Sequence, residues 1–167
     1  EWDNGDETEA STNKLINISN NTFRDVGKAI FLKSCSFVTV DNNNFYNVKN
    51  FVTTSTNSVF DNAYDYNMNR KIKFSNNTIL FSATDTENNL FDHITQLDII
   101  DNRFYYYGNI NALYFDECED VLIKGNRFES LESTPATFSF VSLVNGTRLV
   151  RFKDNISKVS TETARGN

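Results

Sequence analysis

Four side chains that could act as acids, bases or ligands occupy equivalent positions in two copies of a repeated pattern. Asp92 and His93 precede a recurring asparagine by ten and nine residues, and Asp116 and Glu117 precede the next one by the same distances. If the copies stack in register, the two aspartates lie about one strand spacing apart, roughly 5 Å. The same count places three more residues in their column: Lys33, Asn67 and Asn145. The paired aspartates could supply the nucleophile and acid of a retaining glycosidase, or could ligate Ca²⁺. The alternative is a solvated polar edge.

Two arginines directly follow the recurring asparagine in the same two copies. Stacking would place Arg103 and Arg127 side by side, and adjacent like charges are destabilising unless something neutralises them. A uronate carboxylate or a sulfate could do so, because the guanidinium group binds such anions in a bidentate way. The alternative is that the arginines pair with Asp101 or Glu129.

Aromatic residues near both groups could provide flat surfaces for a sugar ring. Tyr114 and Phe31 should point to the same side as the paired aspartates, because side chains alternate along a strand. Tyr105 begins a run of three tyrosines that cannot all be buried, so it could stack on a sugar or pack against another subunit. A lyase would also need a base, for which Tyr105, Lys124 and His93 are candidates. The alternative is a set of scattered surface aromatics.

The element that must position these residues is a pattern repeated six times. Each copy has two apolar residues separated by one polar residue, then an asparagine three positions later, usually with another apolar residue two positions after it. The asparagines are Asn21, Asn43, Asn77, Asn102, Asn126 and Asn155. A repeat of this length is typical of a solenoid, and alternation within each copy indicates strands rather than helices.

Each copy has room for three short strands, which predicts an all-β, right-handed parallel β-helix of about six coils. The asparagines should stack as a ladder inside one corner, and the phenylalanines that follow them as a second ladder. We expect a polar lead-in at 1–13, the β-helix at 14–159 and a polar tail at 160–167. Because bare solenoid ends are exposed strand edges, we expect part of a longer chain or an oligomer such as a homotrimer.

Charge and composition exclude two classes of partner. The net charge of −6 argues against nucleic acid, since phosphate binding depends on clustered lysine and arginine. No apolar run approaches the roughly 18 to 20 residues that span a bilayer. Cys35 and Cys118 should lie three coils apart, about 14 Å, which predicts two buried thiols and no disulfide.

Five short segments carry a resemblance that covers about residues 13 to 159: SNNTF, DNNNF, SNNTI, DNRF and KGNRF. They resemble the repeats of the right-handed parallel β-helix (pectin-lyase-like) superfamily. That superfamily includes polysaccharide lyases, polygalacturonase-type hydrolases, chondroitinase-like lyases and phage tailspikes. The paired-aspartate motifs of the hydrolases and the calcium-binding signature of the pectate lyases are absent as contiguous strings, so no catalytic residue can be transferred.

The resemblance implies a polysaccharide partner and a place outside the cell, at a cell surface or in a virion. The chain would then be part of a glycan lyase or hydrolase, or of a phage tailspike. The alternative is a noncatalytic structural or adhesive β-helix. A trimeric shaft would show an apolar stripe on every coil, but the predicted outward column is mixed: Arg24, Tyr46, Leu80, Tyr105, Glu129 and Lys158.

Overall fold

A computed structural model describes residues 13–33, 35–55, 69–82, 89–107, 113–131 and 140–159 of the 167-residue chain. The predicted lead-in as far as residue 12, the predicted tail from residue 160 and the segment 56–68 between the second and third copies lie outside the described residues. The described residues form β-strands joined by turns. No helix in this part of the chain is long and apolar enough to cross a membrane.

The strands, numbered in chain order, form three sheets. Sheet A contains β1 (Asn13–Ser19), β4 (Cys35–Asp41), β7 (Asn69–Ser75), β10 (Ile94–Ile100), β13 (Glu119–Lys124) and β16 (Arg148–Lys153). Sheet B contains β2 (Thr22–Arg24), β5 (Asn44–Val48), β8 (Thr78–Phe81), β11 (Arg103–Tyr106), β14 (Arg127–Ser130) and β17 (Ile156–Val159). Sheet C contains β3 (Lys28–Lys33), β6 (Asn50–Ser55), β9 (Leu90–Asp92), β12 (Leu113–Asp116) and β15 (Val141–Val144).

Every strand pairs in parallel with the equivalent strand of the next coil. The chain therefore winds as a parallel β-helix, which confirms the predicted fold class. The described residues make five coils with all three strands and a sixth with two, slightly fewer complete coils than the six expected.

Alternation along most of each strand separates the interior from the surface, and in sheet A it is interrupted near the start of the strand by a residue with positive φ, such as Lys71. In β12, Leu113 and Phe115 are fully buried, whereas Tyr114 and Asp116 on the opposite side are half-buried. The inward residues of successive coils stack directly on one another and form one apolar core. The polar residues between them are therefore displayed in columns on the outside of the tube.

The predicted asparagine ladder lies at the corner between sheets A and B. The backbone N–H of Asn43 donates to Oδ1 of Asn77, and that of Asn77 donates to Oδ1 of Asn102, each at 2.9 Å. The amide of Asn77 also donates to the carbonyl of Val40 at 2.9 Å. The same bonds link the remaining coils, so this corner satisfies buried backbone groups that a single coil could not.

A residue with positive φ precedes each ladder asparagine and turns the chain into sheet B. These residues are Asn20, Asn42, Asn76, Asp101, Gly125 and Asp154. Asparagine, aspartate and glycine adopt this left-handed conformation more readily than other residues. The sequence pattern at the corner therefore follows from the backbone geometry of the turn.

The phenylalanine ladder is confirmed, with one interruption. Phe23 stacks on Phe45 at 4.8 Å and Phe104 stacks on Phe128 at 5.0 Å, while Ile79 occupies the position between the two pairs. Both cysteines are free and buried, as predicted.

The repeat pattern does not predict a further set of fully buried asparagines, Asn50, Asn69 and Asn89. Oδ1 of Asn89 accepts from the backbone N–H of Phe51 at 2.8 Å, and Oδ1 of Asn69 accepts from that of Cys35 at 2.9 Å. These asparagines stand at unequal distances from the ladder asparagines, so spacing alone could not reveal them.

Candidate functional site

The four candidate acid–base residues come together where sheet C ends. Asp92 closes β9 and pairs in register with Asp116, which closes β12 in the next coil. His93 and Glu117 follow directly, both with positive φ, and turn the chain from sheet C into sheet A. We call these four residues the acid–histidine cluster.

His93 is held between two carboxylates that come from different coils. Its Nδ1 lies 2.5 Å from Oδ1 of Asp92, and its Nε2 lies 2.6 Å from Oε2 of Glu117. The backbone N–H of His93 also donates to the carbonyl of Asp116 at 3.0 Å. The imidazole therefore links coils three and four.

The carboxylates control the charge of this imidazole. Burial alone would lower the pKa of His93, but the hydrogen bond to Asp92 and the negative charges of Asp92, Glu117 and Asp116 together outweigh it. The pKa is therefore raised above its ordinary value of 6.5, which favours the imidazolium form.

Asp116 differs from the two carboxylates that bind His93. Its Oδ1 is buried, and no residue of the described chain provides it with a hydrogen bond. Beside it, the thiol of Cys118 donates to the carbonyls of Phe91 and Asp116, and burial raises the pKa of this thiol to about 12. Cys118 is thus a packing residue, and Asp116 is the carboxylate of the cluster with hydrogen-bonding capacity to spare.

Thr54 supports the cluster from the coil below, although its sequence position did not suggest this role. It is fully buried, accepts from the backbone N–H of Asp92 at 2.6 Å and donates to the carbonyl of Asp92 at 3.2 Å. The sequence offers one signal for this role: Thr54 lies near the end of β6, the sheet C strand that precedes β9 in the stack.

The structure separates the two aromatic residues predicted near the cluster. Tyr114 lies two residues before Asp116 on the same outward side of β12. Phe31 points outward from sheet C, but the register from Phe31 through Thr53 and Leu90 to Tyr114 covers three coils, about 14 Å. Phe31 is therefore remote from the acidic residues.

Two neighbours expected from counting residues are displaced. Asp116 pairs with Val144 rather than Asn145, because the corner of the last coil contains one more residue than the corner before it. Lys33 pairs with Ser55, whereas Asn67, which the count placed beside Lys33, lies outside the described residues.

The arginines lie on sheet B, on a different side of the tube. Arg103 and Arg127 are register neighbours, and Tyr105 pairs with Glu129 and Leu80 in the column beside them. We call the outer surface formed by these five residues the arginine–tyrosine face.

The two arginines have different partners. Nη2 of Arg127 lies 2.8 Å from Oε2 of Glu129, and Nζ of Lys158 lies 3.6 Å from the other oxygen. The hydrogen bond from Arg127 is the main reason that the pKa of Glu129 is lowered. The predicted pairing with Glu129 therefore holds for Arg127, whereas the exposed side chain of Arg103 forms no ion pair within the described residues.

The outward column of sheet B has the composition expected from the sequence. The register runs through Arg24, Tyr46, Leu80, Tyr105, Glu129 and Lys158. It contains no continuous apolar stripe. The guanidinium of Arg24 lies over the ring of Tyr46, 4.5 Å from its centre.

The described residues do not support a metal centre. No three histidine, cysteine, aspartate or glutamate side chains among them converge so that they could hold a metal ion. In the acid–histidine cluster, two of the three carboxylates are engaged by His93 instead. The alternative of a Ca²⁺ site therefore lacks a ligand set in this part of the chain.

Comparisons with known proteins assign no family. No protein-family model matches the chain, and no curated protein matches it. One similar solved structure is that of a candidate glycosyl hydrolase from Parabacteroides merdae ATCC 43184, with 10% sequence identity and a TM-score of 0.38, covering 84% of this chain and 82% of that one. At this TM-score the similarity carries no functional argument, and the parallel β-helix is established by the strand pairing itself.

Proposed function

We propose that this chain is a glycan-binding parallel β-helix and that the acid–histidine cluster contacts the sugar. The observation that carries the proposal is the register pairing of Asp92 with Asp116 at the outer edge of sheet C, with Tyr114 on the same side. Carboxylates accept strong hydrogen bonds from hydroxyl groups, and an aromatic ring offers a flat apolar surface. A pyranose presents both hydroxyl groups and an apolar face.

Within the cluster, Asp116 is the residue best suited to accept from a sugar. Asp92 and Glu117 already bind His93, so their hydrogen-bonding capacity is partly used. Among the described residues, Asp116 accepts no such bond at its buried Oδ1, and its half-buried side chain lies on the outward side of β12. A sugar hydroxyl that approaches from this outward side would therefore bind a carboxylate that no described residue already engages at that oxygen.

The same arrangement supports binding more directly than cleavage. A retaining glycosidase uses one carboxyl group as a nucleophile and another as an acid, about 5 to 5.5 Å apart. The strand spacing is compatible with that distance, but Oδ1 of Asp92 is occupied by the imidazole of His93. We propose a lyase, hydrolase or tailspike, in an extracellular or virion setting, as the context in which this glycan binding operates.

A glycan array combined with an absorbance assay for unsaturated uronate products tests this proposal. Asp116→Asn keeps the size of the side chain and should weaken glycan binding about tenfold, the equivalent of one charge-assisted hydrogen bond. Asp98→Asn is the matched control, because Asp98 lies on sheet A and pairs with Lys73 and Leu122. Absence of glycan binding by the wild type, or equal binding by both variants, would contradict the proposal.

The noncatalytic shaft is the second function that the sequence left open. A trimer seam needs an outward apolar stripe that continues along the tube. The outward column of sheet B places Arg24, Glu129 and Lys158 in line with tyrosines and one leucine. This surface therefore does not favour a shaft.

A further inference from the structure

The outer face of sheet B carries a charge opposite to that of the whole protein. Its two outward columns contain four cationic residues and one carboxylate, in a chain whose net charge is −6. The first column is Thr22, Asn44, Thr78, Arg103, Arg127 and Ile156, and the second is Arg24, Tyr46, Leu80, Tyr105, Glu129 and Lys158. An anionic ligand would meet an attractive potential on this face.

Glu129, the one carboxylate in these two columns, is bound by Arg127, so Arg103 is available to bind a ligand. Glu129 accepts from Arg127 through both Nε, at 3.0 Å, and Nη2, at 2.8 Å. Arg103 is exposed, lies one strand spacing from Arg127 and forms no ion pair within the described residues. Its guanidinium therefore offers a complete fork of donors, whose geometry matches a carboxylate or a sulfate.

An aromatic surface lies beside this guanidinium. Tyr105 is two residues after Arg103 on β11, so both side chains point to the same side, with about 7 Å between their Cα atoms. Tyr105 is half-buried, and its register neighbours in the adjacent coils are Leu80 and Glu129. The distance suits one sugar ring that stacks on the tyrosine while its acidic substituent reaches the arginine.

We propose that Arg103 and Tyr105 form a second binding surface, specific for an anionic sugar that carries a carboxylate or a sulfate. This surface is independent of the acid–histidine cluster, because it lies on another sheet and shares no residue with it. Arg103 selects a sugar with an acidic substituent, and Tyr105 orients the sugar ring.

Titration calorimetry with three probes tests the surface: oligogalacturonate, which carries only carboxylates, a heparin-derived oligosaccharide, which also carries sulfates, and a neutral malto-oligosaccharide. The wild type should bind at least one acidic probe and should bind the neutral one more weakly. Arg103→Gln should reduce the affinity for that acidic probe about 10- to 100-fold, as expected for a lost hydrogen bond to a charged group. Tyr105→Ala should reduce it further when combined with Arg103→Gln.

Arg148→Gln is the matched control, because Arg148 is an exposed arginine of sheet A that is bound to Glu119 at 3.0 Å. It removes the same charge and should leave the affinity unchanged. An equal loss in the two arginine variants, or equally tight binding of inorganic polyphosphate, would show that only net charge matters and would overturn the proposal.

The Asp116→Asn variant separates this proposal from the one above. If acidic sugars bind and only Asp116→Asn weakens them, the second surface is refuted and the cluster remains. If only Arg103→Gln weakens them, the second surface is supported, and the role of the cluster is decided by the glycan array with Asp116→Asn. If neither substitution weakens the binding of acidic sugars, both proposed surfaces are refuted.

Discussion

A residue with positive φ turns the corner between sheets A and B in all six coils, and the corner between sheets C and A in the three coils where the structure describes that corner. The two corners use this residue differently. At the corner between sheets A and B, every coil follows this residue with an asparagine of the ladder. At the corner between sheets C and A, the turning residue is His93 in one coil, Glu117 in the next and Asn145 in the last. The corner that repeats holds the coils together, whereas the corner that varies presents different chemistry in each coil.

Burial explains why only one of these corners is constant. Asn77, Asn102 and Asn126 are at most 1% exposed, so each must satisfy buried backbone groups of its neighbours. The side chain of Glu117 is 52% exposed, and water can replace any bond that it loses. A substitution at the first corner therefore costs stability, while a substitution at the second mainly changes what the surface can bind.

The largest effect is expected at the ladder. In Asn102→Ala, the backbone N–H of Asn77 loses its acceptor, and the carbonyl of Phe74 loses its donor. Because both groups are buried, the free energy of unfolding should fall by on the order of 3 kcal/mol, measured by urea denaturation with an unchanged m-value. Asn44→Ala, at an exposed position of sheet B, should change it by less than about 0.5 kcal/mol. Equal costs at both positions would remove the distinction between ladder and surface.

A smaller effect is expected at the turning position of the same corner. Gly125 has φ of +65°, and a Cβ there would contact the carboxylate of Asp101. Gly125→Val should lower the free energy of unfolding by about 1 to 2 kcal/mol, because a β-branched residue resists this conformation. Gly125→Asn should cost clearly less, since Asn42 and Asn76 occupy the equivalent position. Thermal unfolding measures both, and a valine variant as stable as the asparagine variant would contradict the explanation of this corner.

The smallest effect is expected from the protonation of His93. Since its pKa is raised in the folded state, its stabilising contribution is complete below the unfolded value of 6.5 and disappears as the pH rises through the folded value. The unfolding free energy of the wild type should therefore exceed that of His93→Gln more at about pH 5.5 than at about pH 8.5. For partly exposed ion pairs the difference should stay below about 1 kcal/mol. Urea denaturation at both pH values measures it, and a larger difference at the alkaline pH would refute the imidazolium link between coils.

Most of the fold was accessible from the sequence because the ladder asparagine marks the same point of each coil. Counting from it predicted the pairing of Asp92 with Asp116 and that of Arg103 with Arg127. The count failed at Asn145, where a corner is one residue longer, and it could not identify Thr54 as a partner of Asp92. Counting residues from a ladder asparagine predicts register neighbours only where the corners in between have the same length in every coil.

By itself, the sequence determined that the chain stacks as a parallel β-helix and which side chains face outward. Strand alternation and the requirement to satisfy a buried asparagine in every coil leave no other arrangement for this pattern. Only the tertiary structure decided that the carboxylates and the arginines lie on different sheets, that His93 joins two coils and that no carboxylate among the described residues pairs with Arg103. These features depend on how each corner redirects the chain and on which side chains then reach one another, and a repeat period does not contain that information.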